Sequence, residues 1–309
     1  MTAKEQLKLG SRGSPLALRQ AELVRARLRA LYPHLAFEVV PIRTTGDVVH
    51  SAPLSAIGGR GVFTKEIEEA LLRGRIDLAV HSLKDLPTTC PHGLVIAATP
   101  EREEARDALV LPANAPAVTL KTLARNAVIG TSSPRRAAQL RSVRPDLRLR
   151  ELRGNVDTRL RKLDQGSYDA IILAAAGLRR LGLAQRISAL LETSEILPAV
   201  GQGALAIEAR EDDADLIALL ASLDHGPTRR ATAAERAFLR ALGGGCQLPI
   251  AAHAQCDGRR LRIEGLIASL DGTRIVRERL DVEDADPEEV GAQLADLILR
   301  AGGSELLRI

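Results

Sequence analysis

The chain has 309 residues, 45% of them hydrophobic, which suffices for two or three domains with cores of their own and argues against a disordered protein. Net charge is only +4, aromatic residues make up 2%, and the three cysteines, Cys90, Cys246 and Cys256, show neither CxxC nor Cys/His spacing. A disulfide framework, a structural zinc site, metal catalysis and a base-stacking surface for single-stranded nucleic acid are therefore not expected. The start, Met1–Gln6, is polar and no apolar run approaches the ~18 residues of a membrane span, so the expected setting is cytoplasmic, without signal peptide or membrane partner.

Leu7 to Leu9 reads as a strand. Ser14 and Pro15 then open a helix whose apolar positions, Leu16, Leu18, Ala21, Val24, Leu28 and Leu31, recur at helical spacing. Phe37–Ile42 alternates as a strand, and beyond a glycine-bearing stretch from Gly46 to Gly61 come a helix over Lys65–Leu72 and a strand over Asp77–Val80. Alternation continues through Asp169–Leu173, the pattern of an α/β fold with mainly parallel pairing. After Pro227 it changes to a helix over Arg229–Leu242, β-rich runs near Ile250–Cys256, Leu261–Ser269 and Arg274–Val282, and a helix near Glu288–Arg300: an α+β tail domain.

Two loops repeat one design. Gly10-Ser11-Arg12-Gly13-Ser14-Pro15 and Gly130-Thr131-Ser132-Ser133-Pro134 each follow a strand and lead into a helix. Serine at the N-cap and proline at N1 complete a helix end, and the remaining N–H groups favour an anion. Ordinary capping is the competing reading. The arginines weigh toward a ligand, because Arg12, Arg135 and Arg136 are cations placed where the helix dipole opposes them. Between Arg135 and Lys162 the chain carries nine arginines and one lysine against Asp146, Glu151 and Asp157. Guanidinium groups pair with carboxylate or phosphate, so a polyanionic ligand is implied, with duplex nucleic acid still open at this level. In His81-Ser82-Leu83-Lys84-Asp85-Leu86-Pro87, Asp85 is the acid among basic loops. It is placed either to stabilise a cation and pass a proton or to brace a neighbouring arginine. His81, at a strand end, reads as a structural group. Cys246, behind Gly243-Gly244-Gly245, is either a thiol on an exposed bend or the start of a buried strand after a helix that Gly243 ends.

In order and spacing, Gly10–Ala17, Gly58–Glu66, His81–Pro87, Gly130–Arg136, Leu152–Arg159, Ala176–Gly182, Gly201–Gly203 and Gly244–Cys246 resemble the porphobilinogen deaminase (hydroxymethylbilane synthase) family nearly end to end. The resemblance implies an α/β protein with two periplasmic-binding-protein (type II)-like domains, their mixed, mainly parallel sheets flanking a cleft. A small C-terminal α+β domain with a three-stranded antiparallel sheet completes it. The implied divisions are 1–100 with 201–222, 101–200, and 223–309. The implied activity is a transferase of tetrapyrrole (haem and porphyrin) biosynthesis that joins four porphobilinogen molecules head to tail into hydroxymethylbilane, releasing ammonia, with no metal. Growth starts on a dipyrromethane cofactor held by a thioether to Cys246.

By the same resemblance Asp85 meets the charge of the methylene-pyrrolenine cation left by ammonia and bonds pyrrole N–H groups. Ser82, Lys84, Thr131, Ser132, Ser133, Arg135 and Arg136 hold the cofactor. Arg12, Ser14, Phe63, Arg153, Arg159, Arg180 and Gln202 grip the incoming porphobilinogen and the growing polypyrrole. Neither nucleic acid nor a membrane is an implied partner, and the family leans monomeric. Gly46–Gly61 is implied to be a lid, and here Ala56 and Arg60 stand where lysines are common, so charge is kept at 60 and lost at 56. The competing class is a cytosolic anion-binding or regulatory module of the periplasmic-binding type, which leaves Cys246 without work. A thiol enzyme acylated at Cys246 would need a His–Asp partner set that the sequence does not display.

Overall fold

The computed structural model describes residues 5–45, 63–116, 118–243 and 248–307; the Gly46–Gly61 segment and Cys246, both singled out above, lie outside them. The chain folds as two compact units, Met1–Arg102 with Ala204–Arg229, and Glu103–Gly203 with Arg230–Ile309.

In the first unit, β1 (Gln6–Arg12), β2 (Ala36–Ile42), β3 (Leu78–Ser82), β4 (Leu94–Ala98) and β10 (Leu205–Arg210) form a sheet ordered β2-β1-β3-β10-β4. Successive strand residues face opposite sides. Leu7, Leu9, Leu78 and Val80 thus pack with Val24 and Leu28 of α1 (Pro15–Leu31), while Ala79 packs with Ile67 and Leu71 of α2 (Lys65–Leu72). Of the expected apolar stripe, Ala21, Val24 and Leu28 are buried, Leu16 and Leu18 are half-buried, and Leu31, the last residue of α1, is 51% exposed. Gln20 is buried instead, and its amide brackets Ser82 Oγ, donating at 3.0 Å and accepting at 3.1 Å, so that burial leaves it hydrogen-bonded.

The second unit repeats the plan. Its strands β5 (Asp107–Val110), β6 (Val128–Gly130), β7 (Arg148–Arg150), β8 (Ala170–Ala174) and β9 (Ala189–Leu190) run in the order β7-β6-β8-β5-β9. β6 is parallel to β7 and β8, as β1 is to β2 and β3, and the fourth strand, β5 here and β10 there, is antiparallel to both neighbours. Each of these antiparallel strands follows closely on a passage of the chain from one unit to the other, at 102/103 and 203/204. Ala170 and Ile172 share a core with Leu140 of α3 (Pro134–Val143); Ile171 and Leu173 share the opposite one with Leu160 and Leu163 of α4 (Val156–Asp164). A short α5 (Ala175–Arg180) follows β8.

After α6 (Ala214–Leu220) and α7 (Gly226–Ala241), the antiparallel strands β11 (Ile250–Asp257), β12 (Arg260–Ala268) and β13 (Ile275–Glu283) and helix α8 (Pro287–Ile298) complete the second unit. Ala251, Leu266 and Ala268 of this sheet pack against Ala138 of α3 and Leu197. Phe238 of α7 is fully buried against two glycines: a Cβ at Gly265 would stand 2.7 Å from its ring, and one at Gly291 2.8 Å from its backbone nitrogen. With the ring removed, those glycines leave nothing to fill the space. Phe238→Ala is therefore expected to cost about 3–5 kcal/mol. The measurement is the urea midpoint followed by far-UV circular dichroism, since the chain has no tryptophan; an unchanged midpoint would contradict the packing described.

Candidate active site

In the first unit the parallel β1 and β3 end at one edge of the sheet, where ligands of open α/β sheets bind. Past β1, Arg12 lays its guanidinium 4.2 Å from the centre of the Phe63 ring, and Ser14 caps α1, accepting from Ala17 N at 3.3 Å. Past β3, a single 3-10 turn, Leu83–Asp85, buries Leu83 and leaves Lys84 half-buried and Asp85 exposed. Arg12, Ser14, Gln20, Phe63, Ser82 and Asp85 line one pocket. His81 also reaches it, but is buried with Nε2 3.3 Å from Glu208 Oε2, a contact at ion-pair distance without hydrogen-bond geometry. That placement agrees with a structural histidine.

In the second unit the loop after β6 uses its hydroxyls to hold itself. Ser133 caps α3, accepting from Arg136 N at 3.4 Å; Thr131 Oγ1 accepts from Ser133 N at 3.2 Å; Ser132 Oγ donates to Leu152 O at 2.8 Å and accepts from Leu152 N at 3.0 Å. Arg135 and Arg136 fold inward and are buried. Their common partner is Asp107, 0% exposed, which takes Arg135 Nη2 at 2.8 Å, Arg136 Nη2 at 2.7 Å and the Gln202 amide at 2.8 Å. Arg135 also donates to Leu197 O at 2.6 Å, and Arg136 to Ile172 O at 3.1 Å. Arg136 Nε is buried with no hydrogen-bond partner among the described residues.

The charges in this cluster do not cancel. Burial opposes ionisation of Asp107, but the two guanidiniums outweigh it and hold the carboxyl well below its usual range. Burial and the neighbouring Arg136 pull Arg135 below its ordinary value in spite of Asp107. Arg159 on α4 is half-buried, donates Nε to Gly154 O at 2.7 Å, and is drawn down to about 10 by burial and then by repulsion from Arg136. Arg153 Nε pairs with Glu151 at 2.5 Å, and Arg180 Nη2 donates to Gly203 O at 2.6 Å. The sites that sequence reasoning missed are Asp107 and Gln139. Gln139 is buried on α3, accepting from Leu197 N at 2.7 Å and donating to Leu197 O at 3.1 Å. The available signal was an acid opening the apolar run Asp107-Ala108-Leu109-Val110. Among the described residues, no three potential ligands gather as a metal site, and no helix is long and apolar enough to cross a membrane.

A family model described as "Porphobilinogen deaminase, dipyromethane cofactor binding domain" matches residues 7–218, and one described as "Porphobilinogen deaminase, C-terminal domain" matches 229–300. The chain belongs to the porphobilinogen deaminase family. Porphobilinogen deaminases of Trichlorobacter lovleyi (50% identity, 99% of this chain and 96% of that one), Roseiflexus castenholzii (51%, 98% and 99%) and a Nostoc species (47%, 99% and 95%) are among its relatives. A solved substrate-binding domain of a putative amino acid ABC transporter from Streptococcus pneumoniae is similar at 12% identity and a TM-score of 0.44, over 76% of this chain and 94% of that one, too loosely to add to the sheet order above. The residues present fit an anionic group: a buried Arg136 N–H without an acceptor among the described residues, beside arginines in excess over Asp107.

The depressed Asp107 carboxyl makes stability depend on pH in a stated direction. Unfolded, it titrates near ~3.9, so its contribution is complete above that pH and is lost as pH falls toward the native value. Wild type should therefore exceed Asp107→Asn in unfolding free energy by a constant margin from about pH 8 to about pH 5, narrowing below about pH 4. A margin independent of pH down to pH 3 would show that the carboxylate charge contributes nothing.

Proposed function

We propose that this chain is a hydroxymethylbilane synthase, joining four porphobilinogen molecules head to tail with loss of ammonia on a dipyrromethane primer carried by Cys246. The observation that carries the reading is Asp85, an exposed carboxylate in a pocket whose lining includes Arg12, Ser14, Gln20, Phe63 and Ser82, in a chain that matches the family over nearly its whole length.

The bound primer supplies a permanent first pair of pyrroles with a free α-carbon on which the chain grows. The protein's part is binding, orientation and charge. Arg12, Ser14, Arg153, Arg159 and Arg180 offer donors to the acetate and propionate of the substrate rings, and Phe63 lies against the Arg12 guanidinium, where it keeps that group's orientation. Gln202 belongs to the same set and acts through Asp107, to which it donates. Ser82, Lys84, Thr131, Ser132, Ser133, Arg135 and Arg136 would hold the primer, Arg135 by bracing Arg136 through Asp107. Asp85 would accept from pyrrole N–H groups and place its carboxylate opposite the positive charge that develops as ammonia leaves. Because that ring charge is greater in the transition state than in the bound substrate, the interaction accelerates the step rather than merely tightening binding.

The chain is read as three domains, 1–100 with 201–222, 101–200 and 223–309, acting as a cytoplasmic monomer with porphobilinogen and the growing polypyrrole as its partners, and without nucleic acid or membrane.

Two measurements test this. The intact mass of purified wild type should exceed the chain mass by two linked pyrrole units, and Cys246→Ser should have the bare mass; a bare wild type would count strongly against the function. In Asp85→Asn the two-pyrrole excess should persist while kcat falls by about 10²–10³, the loss of ~2.7–4 kcal/mol typical of one preorganised electrostatic group. Normal turnover in that variant would remove Asp85 from the mechanism.

A further inference from the structure

Arg135 and Arg136 are adjacent in sequence and alike in burial, yet the structure treats them differently. Both terminal nitrogens of Arg135 are spent on the protein, one on Asp107 and one on the Leu197 carbonyl, and that carbonyl also accepts from Gln139. Arg136 spends its terminal nitrogens on Asp107 and the Ile172 carbonyl but keeps Nε, a buried donor with no partner among the described residues. A buried donor left unmade is costly, about 1–3 kcal/mol, so a native site retains one where a ligand completes it. Asp107 fixes the plane of both guanidiniums at once, because each of its two oxygens takes one arginine, and the Gln202 amide closes the Oδ1 side.

We propose that Asp107 is a positioning residue for the cofactor, holding Arg135 as an internal brace and aiming Arg136 Nε at a carboxylate of the primer. The inference rests on the functional reading above. Its chemical content is a division of labour: one arginine of the pair meets the ligand, and the other keeps it in place. Asparagine at 107 is isosteric but turns one oxygen into an N–H₂ donor facing a donor, releasing one guanidinium and leaving the cluster more positive. Displacing a reacting group by about 1 Å can cost about a hundredfold in rate.

Asp107→Asn should show a reduced fraction of chains with the two-pyrrole mass excess. In the loaded fraction, separated by ion exchange, kcat should fall at least about tenfold with KM for porphobilinogen within about twofold, the pattern of a misplaced primer. A purely structural role would lower the unfolding midpoint and leave the loaded molecules with wild-type kcat, and that result would overturn the proposal. Should Asp107→Asn not fold, arginine Nε–H resonances of loaded wild type and of unloaded Cys246→Ser decide it. The Arg136 resonance should move on loading and that of Arg135 should stay. No movement at Arg136, in a wild type whose mass shows it is loaded, overturns the inference alone; a bare wild-type mass overturns the functional reading and the inference with it.

Discussion

Two guanidiniums side by side in a protein interior repel each other and lose their hydration, so burying Arg135 and Arg136 together requires a carboxylate between them, and Asp107 is that carboxylate. The arrangement is asymmetric in its consequences. While intact it satisfies most of the donors involved, but a buried ion group that loses one partner leaves uncompensated charge, at a cost of about 3–5 kcal/mol. The surrounding packing therefore has little freedom. Asp107 opens β5, which pairs with the end of β8 at Ala174, and Arg136 donates to Ile172 in the same strand. Moving either guanidinium would disturb the pairing of two central strands.

The same carboxylate also ties together the places where the chain passes between its units. Gln202 lies just before the second passage and reaches both Asp107 and the Ala105 carbonyl just after the first. Alongside, Glu103 N donates to Gly203 O at 3.1 Å, and Arg180 donates to that same carbonyl. Gly203 has φ +87, and a Cβ there would collide with the Glu103 carbonyl oxygen. Glycine is required at 203 for two reasons at once, backbone conformation and close approach. Gln202 and Gly203 thus have a local physical cause before any ligand is considered.

Much of the fold was legible because its signals are local. Ser14 and Pro15, or Ser133 and Pro134, set helix starts within four residues, and Lys65–Leu72 came out with the expected bounds. Gly243 has φ +62, as a residue that ends α7 should. What was illegible is long-range. That Leu205–Arg210 returns to lie between β3 and β4 depends on pairing across more than a hundred residues, and no periodicity within the strand encodes it. The arginine cluster shows the same limit. Counting charge along 135–162 registers Arg135 and Arg136 as exposed ligand groups, since their neutralising acid lies 28 and 29 residues upstream.

The positive field read from that cluster is concentrated in fewer residues than its length suggests. Arg144 gives its nitrogens to Asp146 and to the carbonyls of Leu120 and Leu123, Arg141 to Leu270 O, and Arg150 to Ser167 O. These are stitches between loops, since a planar guanidinium with five donors can satisfy several carbonyls that secondary structure leaves over. Arg144 and Arg159 differ in what surrounds them. Asp146 raises Arg144, whereas burial and Arg136 draw Arg159 down to about 10. Arg159 donates its Nε to a carbonyl and is repelled by Arg136, so a carboxylate-bearing ligand beside the two would supply countercharge there. The structural arginines, already paired, would gain nothing from it.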